Sequence, residues 1–291
     1  MKIGIYTRSL PEPDHERYVR EFFAFLSKQD DTICIHKNAQ EVLRRINFEH
    51  NFQVFTETND QLPFDILLSL GGDGTVLDTL RIVRGSGIPV LGVNLGRFGF
   101  LASSRLEAFE ENYNNLKTGK YNIEHRSVIQ LESDLNLFEG FPYALNDFIV
   151  HKKDSSSMIT VHARLNHEPL TSYWADGVIL ATPTGSTGYS LSCGGPIVYP
   201  GSSSFVLTPI APHNLTIRPI VLNDQSTLSF EIEGRTEDFL VTMDSRSETV
   251  PKGTKLRIAR APFDLHMISL EGQTYTQTIR NKLLWGVDRR N

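Results

Sequence analysis

Residues 65 to 75 read Asp65-Ile-Leu-Leu-Ser-Leu-Gly71-Gly72-Asp73-Gly74-Thr75. The six residues before the glycines form a short apolar run, which is typical of a strand buried in a parallel sheet. From Thr75 to Arg84 the apolar side chains recur at helical spacing. A strand, a glycine turn and a helix in succession form the repeating unit of an open α/β sheet, so this stretch predicts the fold of the first part of the chain.

The same alternation of strand and helix patterns continues on both sides of this stretch. Further strands are predicted over Lys2–Thr7, Thr32–His36 and Ile88–Leu95. The predicted helices are Asp14–Lys28, Ala39–Phe48, Thr75–Arg84 and Leu106–Thr118. We therefore expect residues 1–122 to form an N-terminal α/β domain with an open, largely parallel sheet.

Beyond Tyr121 the pattern changes to short stretches of alternating polarity that are separated by turn signals. The predicted strands are Glu124–Glu132, Tyr143–Lys152, Met158–Leu165, Leu170–Tyr173, Gly177–Thr182, Ser204–Ile210, Thr227–Glu231, Phe239–Met243 and Lys255–Ala259. This pattern predicts an all-β, sandwich-like domain over residues 123–270. The last segment, 271–291, carries a predicted helix over Tyr275–Val287, and we expect it to return to the first domain.

Composition excludes several classes of protein. With 291 residues, two domains are expected, and the 40% hydrophobic and 22% charged fractions are those of a globular chain rather than a disordered one. A net charge of −5 argues against a nucleic-acid partner. Two cysteines cannot build a disulfide framework or a cysteine-based zinc site, and they fit a reducing cytoplasm. We expect neither a signal peptide nor a membrane span, since no apolar run is long enough.

The glycine turn suggests phosphate chemistry. Backbone N–H groups at the start of a helix favour phosphate, and glycines let a ligand approach the backbone closely. Asp73 adds a negative charge where phosphate would lie, so it needs a task, such as accepting a proton from a hydroxyl or holding a metal ion. The alternative is a tight turn in which Asp73 only caps the helix.

Other catalytic signatures are missing. The chain lacks the GxxxxGK[ST] motif of P-loop NTPases. The segment from Gly72 to Leu77 lacks the third glycine of a dinucleotide fingerprint. Gly185-Ser-Thr-Gly188 is not the GxSxG turn of a serine hydrolase, so that class is poorly supported.

A second informative stretch follows Asp176. A predicted strand runs into the loop Thr182-Pro-Thr-Gly-Ser-Thr187, and residues 178–217 contain no Asp, Glu, Lys or Arg. Hydroxyl groups and glycines offer neutral donors and acceptors that suit ribose, amide and adenine edges. Asp176 could accept hydrogen bonds from ribose hydroxyls or a carboxamide. The alternative is a polar turn whose hydroxyls bond within the protein.

Asn146 and Asp147 lie inside the predicted strand Tyr143–Val150. Side chains alternate along a strand, so one of the two is expected to face inward or into a cleft. A carboxylate that is buried without a partner costs several kcal/mol, and a ligand or a donor is therefore expected there. The alternative is an aspartate on an edge strand.

Taken in order, these motifs resemble those of the NAD kinases. The series runs Gly71–Gly74, Asn146-Asp147, Asp176-Gly177, Thr182–Thr187, Gly194-Gly195-Pro196 and Pro212-His213. The GGDG loop alone is shared with diacylglycerol kinase-like and phosphofructokinase-like proteins, whereas TPTGST after DG is more discriminating. The likeness extends from the strand before Gly71 to the segment Lys282–Gly286.

The resemblance implies transfer of the γ-phosphoryl group of ATP to the 2′-hydroxyl of the adenosine ribose of NAD, giving NADP. By the same resemblance, Asp73 is the proton acceptor, and Gly71, Gly72, Gly74 and Thr75 form the loop for the ATP phosphates. Mg²⁺ is implied as a cofactor that is held through these phosphates, with no metal ligands from the protein.

The resemblance also implies which residues bind NAD. Asn146 and Asp147 would contact the adenosine half, Thr187 the adenine, and Asp176 the nicotinamide riboside, while Phe100 would wall the adenine pocket. Tyr189 would lie nearer the nicotinamide, and Ala211 would approach it, from a neighbouring subunit in some assemblies. The whole implied set is Asp73, Gly74, Phe100, Asn146, Asp147, Asp176, Thr187, Gly188, Tyr189, Ser190, Leu191, Ser192 and Ala211.

The family resemblance further implies a homodimer or homotetramer. Three positions depart from the usual family pattern. Asp78 stands where a basic residue is common, Gly188 where alanine is, and Arg246 where glutamine is found.

Two other functions stay open, namely a lipid or sugar kinase that shares only the GGDG loop and a dinucleotide sensor without catalysis. The preference for ATP or polyphosphate, the choice of NAD or NADH, and inhibition by NADP or NADPH stay open as well.

Overall fold

The computed structural model describes residues 1–8, 15–57, 61–96, 99–102, 104–153 and 157–284. The chain divides into two compact units. One consists of Met1–His125 together with Leu265–Asn291, and the other is Arg126–Asp264. The domain bounds drawn from the sequence, 1–122, 123–270 and 271–291, stay a prediction.

The strands are β1 (Lys2–Tyr6), β2 (Thr32–His36), β3 (Gln53–Phe55), β4 (Ile66–Leu70), β5 (Val90–Asn94), β6 (Ser104–Arg105), β7 (Tyr121–Ser133), β8 (Tyr143–Ala144), β9 (Asp147–Lys152), β10 (Ile159–Leu165), β11 (Glu168–Ala175), β12 (Gly177–Ala181), β13 (Ser204–Ile210), β14 (Ile220–Asn223), β15 (Leu228–Glu233), β16 (Asp238–Met243), β17 (Arg246–Pro251) and β18 (Leu256–Leu270). The α-helices are α1 (Glu16–Leu26), α2 (Lys37–Arg45), α3 (Asp73–Val83), α4 (Phe109–Lys117), α5 (Tyr189–Ser192) and α6 (Tyr275–Leu283).

The first unit is built on a parallel sheet in the order β3-β2-β1-β4-β5, and Met267 near the end of β18 pairs in parallel with β5. Every residue of β4 is buried, which explains its uninterrupted apolar sequence. The core of this unit joins strand residues such as Ile5 and Leu68 to helix residues such as Phe23 and Leu43. The predicted α/β class of this part of the chain is confirmed.

Several element bounds in the first unit differ from the sequence expectation. Helix α2 begins at Lys37 rather than Ala39, because the His36 side chain accepts a hydrogen bond from the N–H of Asn38 and caps the helix there. Strand β3 was not predicted, since three residues carry too little periodicity to be recognised. The predicted start of α1 at Asp14 and the predicted end of α6 at Val287 lie outside the described residues.

The second unit is an antiparallel sandwich, as predicted. One sheet has the order β14-β13-β12-β9-β16-β17, and β11, β10, β15 and the first part of β18 pair in a second sheet. Phe148 on β9 and Phe230 on β15 stack with their ring centroids 6.2 Å apart, and both belong to one buried apolar cluster that also holds Phe205 and Phe239. The hydrophobic contact across the two sheets forms the core of this unit.

The predicted strand Tyr143–Lys152 is wrong as a single element. It is broken into β8 and β9, and Leu145 and Asn146 lie between them. Strands β14 and β17 were not predicted, and β18 continues to Leu270 instead of ending at Ala259. Among the described residues, no helix is long and apolar enough to cross a membrane.

Candidate active site

Several backbone donors of the glycine turn after β4 have no partner within the part of the chain that the structure describes. Gly72 caps α3, and the N–H groups of Gly72, Asp73 and Gly74 bond to no described residue. Such groups at a helix start are the donors that bind phosphate oxygens. The turn lies at the carboxyl end of β4, where ligands bind in open α/β sheets.

Asp73 does not cap its own helix, so the interpretation of this residue as a helix cap is wrong. Helix α3 begins without a side-chain cap bond. The Asp73 carboxylate instead accepts hydrogen bonds from the backbone, with Oδ2 2.8 Å from the nitrogen of Phe100 and Oδ1 2.9 Å from those of Leu101 and Ala102. An ionised carboxylate has about four lone-pair positions. Oδ2 therefore keeps one position for a further donor.

Gly99 makes room for this arrangement. A Cβ atom at position 99 would lie 2.7 Å from Asp73 Cγ and would overlap its Oδ1. The backbone of Gly99 also starts the turn, since its N–H donates to the carbonyl of Ala102. Phe100, the predicted wall of an adenine pocket, thus contacts Asp73 through its own backbone, while Arg97 and Phe98 lie outside the described residues.

Arg8 is a residue that sequence reasoning missed. It follows β1, which pairs with β4, and its Nε and Nη2 each lie 2.6 Å from a carboxylate oxygen of Asp78 on α3. Nη2 also donates to the carbonyl of Gly74 at 3.3 Å, and Nη1 lies 3.5 Å from where a Gly74 Cβ would be. Asp78 therefore holds a cation beside the glycine turn. The carboxyl ends of adjacent parallel strands lie at the same edge of a sheet. The position of Arg8 just after β1 could therefore have indicated that it lies beside the turn after β4.

In the second unit, the TPTGST loop packs on the segment that carries Asn146. Thr182 donates to Leu145 O from its hydroxyl at 2.6 Å and to Asn146 O from its backbone at 2.8 Å. A Cβ at Gly185 would lie 2.8 Å from Asn146 Cα and would overlap its carbonyl oxygen. Glycine at 185 thus lets the two segments meet backbone to backbone.

Asp147 is 5% exposed, and its carboxylate has no hydrogen-bond donor among the described residues. Strand β9 lies between β12 and β16, so the interpretation of Asp147 as an edge-strand residue is wrong. A Cβ at Gly188 would lie 3.9 Å from Asp147 Oδ2 and 4.0 Å from Asn146 Nδ2. The structure therefore brings together Asn146, Asp147 and Gly188. Burial, with a further contribution from the Asp244 charge, raises the pKa of Asp147 to about 7.

This pKa predicts a pH dependence of stability. Folded Asp147 keeps its proton up to about pH 7, whereas an unfolded aspartate loses it near pH 3.8. The unfolded state then binds fewer protons, so this residue's contribution to stability falls as the pH rises from about 4 to 7. Asp147→Asn removes the cost of ionising this buried carboxyl. The free energy of unfolding of the variant minus that of wild type should therefore rise by up to about 4 kcal/mol between about pH 4 and pH 7.

Urea unfolding of both proteins without nucleotide at pH 5 and pH 8 measures this difference. The exposed Asp134→Asn is the matched control and should change little between the two pH values. Equal stability differences for Asp147→Asn at both pH values would contradict the expectation.

The hydroxyls of the loop are partly used by the protein itself. Ser186 Oγ donates to Pro183 O at 2.7 Å, and the buried Ser190 Oγ lies 2.8 Å from Thr208 Oγ1. Tyr189, the first residue of α5, is exposed instead. Thr187 Oγ1 donates to Thr184 O at 3.3 Å, so several hydroxyls of the loop follow the interpretation of internally bonded hydroxyls.

Asp176 lies beside the end of β13. Its backbone N–H donates to Ile210 O at 3.0 Å, next to Ala211, and its carboxylate forms an ion pair with Lys152 at 2.6 Å. Burial raises the pKa of Tyr189, and the charges of Cys193 and Asp176 raise it further. Asp176 and Ala211 are thus close along adjacent strands, and Lys152 is an addition that the sequence did not indicate.

The sequence Gly-Gly-Asp-Gly at positions 71–74, with its carboxylate held by backbone donors, is that of the GGDG-containing kinases. The chain belongs to the NAD kinase family. Residues 13–121 match the ATP-NAD kinase N-terminal domain, and residues 145–270 match the ATP-NAD kinase C-terminal domain. The family resemblance noted from the motifs is confirmed.

Curated relatives match along the whole chain. An NAD kinase of Cytophaga hutchinsonii is 43% identical over 100% of both chains, and one of Flavobacterium psychrophilum is 43% identical over 94% of both. The fold also matches crystal structures. Yeast NADH kinase complexed with NADH has a TM-score of 0.88 and 22% identity, covering 99% of this chain and 88% of that chain. An NAD kinase from Archaeoglobus fulgidus in complex with ATP has a TM-score of 0.71 and 24% identity, covering 98% and 99%.

Proposed function

We propose that the protein transfers the γ-phosphoryl group of ATP to the 2′-hydroxyl of the adenosine ribose of NAD, giving NADP and ADP. Family membership supports the reaction, since the curated relatives in Cytophaga hutchinsonii and Flavobacterium psychrophilum are NAD kinases. The single observation that carries the proposal for this chain is the Asp73 carboxylate, which is fixed by backbone donors and keeps one acceptor position open.

In the proposed step, Asp73 Oδ2 accepts the proton of the 2′-hydroxyl as the ribose oxygen attacks the γ-phosphorus. A bond forms between the 2′-oxygen and phosphorus, the bond between the γ-phosphorus and the bridging oxygen breaks, and ADP leaves with that oxygen. The proton then passes from Asp73 to solvent. A ribose hydroxyl is a weak nucleophile, and a positioned base contributes typically about 10²–10⁴-fold to such a step.

Phosphoryl transfer otherwise depends on positioning and on neutralising charge. We assign the phosphates of ATP to the turn Gly71–Thr75, where free N–H groups are available. The described residues include no group of three or more His, Cys, Asp or Glu side chains that could hold a metal ion. Mg²⁺ is therefore proposed to enter with ATP, bound by phosphate oxygens, and to supply charge neutralisation there.

For NAD, the proposed contacts of the adenosine half are Asn146, Asp147 and Thr187. Asp147 supports this assignment because a buried carboxylate without a donor is satisfied when a ligand amine or hydroxyl bonds to it. Phe100 is proposed to flank the adenine. Asp176, Tyr189 and Ala211 are assigned to the nicotinamide end, and the remaining contacts to Gly74, Gly188 and residues 190–192.

A coupled assay for NADP formation tests the reaction, with NAD or NADH as acceptor and ATP or polyphosphate as donor in the presence of Mg²⁺. We expect a 2′-phosphorylated product. Its absence would count against the proposal, activity on diacylglycerol or a hexose would favour the lipid or sugar kinase, and binding without turnover would favour a sensor. We also propose that the protein forms a homodimer or homotetramer and that it is located in the cytoplasm.

Arg8→Gln is predicted to raise the KM for ATP by about tenfold, because a charge-assisted hydrogen bond to phosphate contributes about 1.5–3 kcal/mol. Nη1 of Arg8 lies 3.5 Å from where a Gly74 Cβ would be, so the guanidinium is within reach of a phosphate oxygen at that turn. The KM for NAD should change far less. Steady-state kinetics with each substrate varied in turn measures both constants.

The matched control for this prediction is Arg17→Gln on α1, whose partner is the exposed Glu21. It should leave both constants unchanged. Equal increases in both KM values for Arg8→Gln, or no increase in either, would show that Arg8 has no particular role toward ATP.

A further inference from the structure

The turn between β16 and β17 binds the segment that carries Asn146 and Asp147. Met243 pairs with Arg246, so Asp244 and Ser245 form the turn, and Asp244 has a left-handed backbone with φ of 52°. Its carboxylate accepts hydrogen bonds from successive backbone N–H groups, from Leu145 at 3.0 Å, Asn146 at 2.7 Å and Asp147 at 3.4 Å. Its own N–H donates to Asp147 O at 3.1 Å.

Arg246 holds the preceding part of the same segment. Its guanidinium donates to Phe141 O at 2.7 Å and to Tyr143 O. The cation also lies 5.3 Å from the ring centroid of Phe138 and 5.4 Å from that of Phe141. The two ends of one short turn thus bind the backbone from Phe141 to Asp147.

The hydrogen bonds that join this segment to Asp244 and Arg246 explain why the strand predicted over Tyr143–Lys152 is interrupted. Leu145 and Asn146 lie outside both β8 and β9, so their N–H groups have no ladder partner. A buried N–H needs an acceptor, and the Asp244 carboxylate provides it. The backbone is not in a strand conformation at Asn146, a proposed NAD contact. The hydrogen bond from its N–H to the Asp244 carboxylate stabilises this conformation.

We infer that Asp244 is a positioning residue for the adenosine half of NAD, acting through the backbone of Asn146 and Asp147, with the ligand's identity resting on the proposed function. A carboxylate suits this role because it has enough lone pairs for successive N–H donors. An amide oxygen accepts fewer, and the amide NH₂ faces an N–H instead of an acceptor. Asp244 itself is not proposed to touch NAD.

Asp244→Asn tests the inference, because asparagine tolerates the left-handed backbone and alters only the acceptors. We expect the KM for NAD to rise at least about tenfold, while kcat and the KM for ATP change less than about threefold. Ser245→Ala, the exposed neighbour in the same turn, is the control and should leave all constants unchanged. If kcat and both KM values of Asp244→Asn match wild type, the inference is wrong.

A double-mutant cycle separates positioning from a general loss of structure. If Asp244 acts through Asn146 and Asp147, the rise in the NAD KM caused by Asp244→Asn should largely disappear in a background that carries both Asn146→Ala and Asp147→Ala. Equal rises in both backgrounds would overturn the inference. If wild-type protein forms no NADP from NAD, the proposed function fails, whereas an active wild type with an unaffected Asp244→Asn variant refutes the positioning role alone.

Hydrogen exchange of the wild-type protein gives a measurement that needs no variant to fold. The amides of Leu145 and Asn146 should exchange about as slowly as those within β9, although they lie outside the strand. Exchange at the rate of an open loop would overturn the inference, since it would mean that Asp244 does not hold this backbone in solution.

Discussion

Replacing Asp73 with asparagine is expected to lower kcat for NADP formation by about 10²–10⁴-fold, the usual contribution of a general base. The KM for NAD should change less than about threefold, since the proton is taken only as the reaction proceeds. Steady-state kinetics with a coupled NADP assay measures both values. Equilibrium binding of NAD to the variant gives its affinity independently.

The geometry of the site explains why asparagine is an informative replacement. Oδ1 of the new side chain can still accept from Leu101 and Ala102, so the side chain keeps its place. Its NH₂ group then stands where Oδ2 accepted from Phe100, and it cannot take a proton from a hydroxyl. The lost bond to Phe100 should lower the stability by about 1–3 kcal/mol.

Asp30→Asn, an exposed aspartate of the same unit, serves as the control and should leave kcat unchanged. Equal losses in turnover and in NAD affinity for Asp73→Asn would exclude the role as base and would indicate a binding role. Full activity of the variant would contradict the proposed step altogether.

Gly99→Ala is expected to lower kcat by at least about 100-fold although residue 99 has no side chain and donates nothing to a ligand in the proposal. The new methyl group would overlap Asp73 Oδ1, so the carboxylate must leave its backbone donors or the turn must shift. The carboxylate is the end of a flexible side chain, and we expect it to move first. The fold should survive, because the backbone at Gly99 does not have a positive φ that excludes alanine.

Kinetics and thermal unfolding of Gly99→Ala together test this expectation. Gly201→Ala is the matched control, since a Cβ at that position has nothing within 4 Å. In an Asp73→Asn background, Gly99→Ala should cost little further activity, because both changes act on one carboxylate. Wild-type turnover in Gly99→Ala would show that the carboxylate need not occupy the observed position.

The features that the sequence predicted are local ones. A strand, a glycine turn and a helix within residues 65–84 predicted the phosphate turn and singled out Asp73. The donors that hold Asp73 lie 27 to 29 residues further along the chain, and they are backbone groups, so no side chain marks them. The same holds for Asn146, whose departure from the strand is caused by Asp244, 98 residues away.

Strand β18 shows a second limit of structure prediction from the sequence pattern. Its sequence contains Pro262, which argues against a central strand, and it carries Arg257, Arg260 and Asp264. Strand β18 pairs with β15 through Leu256 to Ile258, with β5 at Met267, and also with β7. The guanidinium of Arg260 forms ion pairs with Asp224 and Asp264, so its charge is compensated by two carboxylates. Such compensation depends on neighbours that a sequence pattern does not contain.

Because the segment after Gly99 binds the proposed base only through main-chain amides, the side chain of Phe100 is chemically independent of that base. The proposed adenine wall at position 100 could therefore be reshaped for altered cofactor analogues while the proposed proton acceptor stays where it is. At position 99, by contrast, any Cβ would displace the Asp73 carboxylate from its observed position.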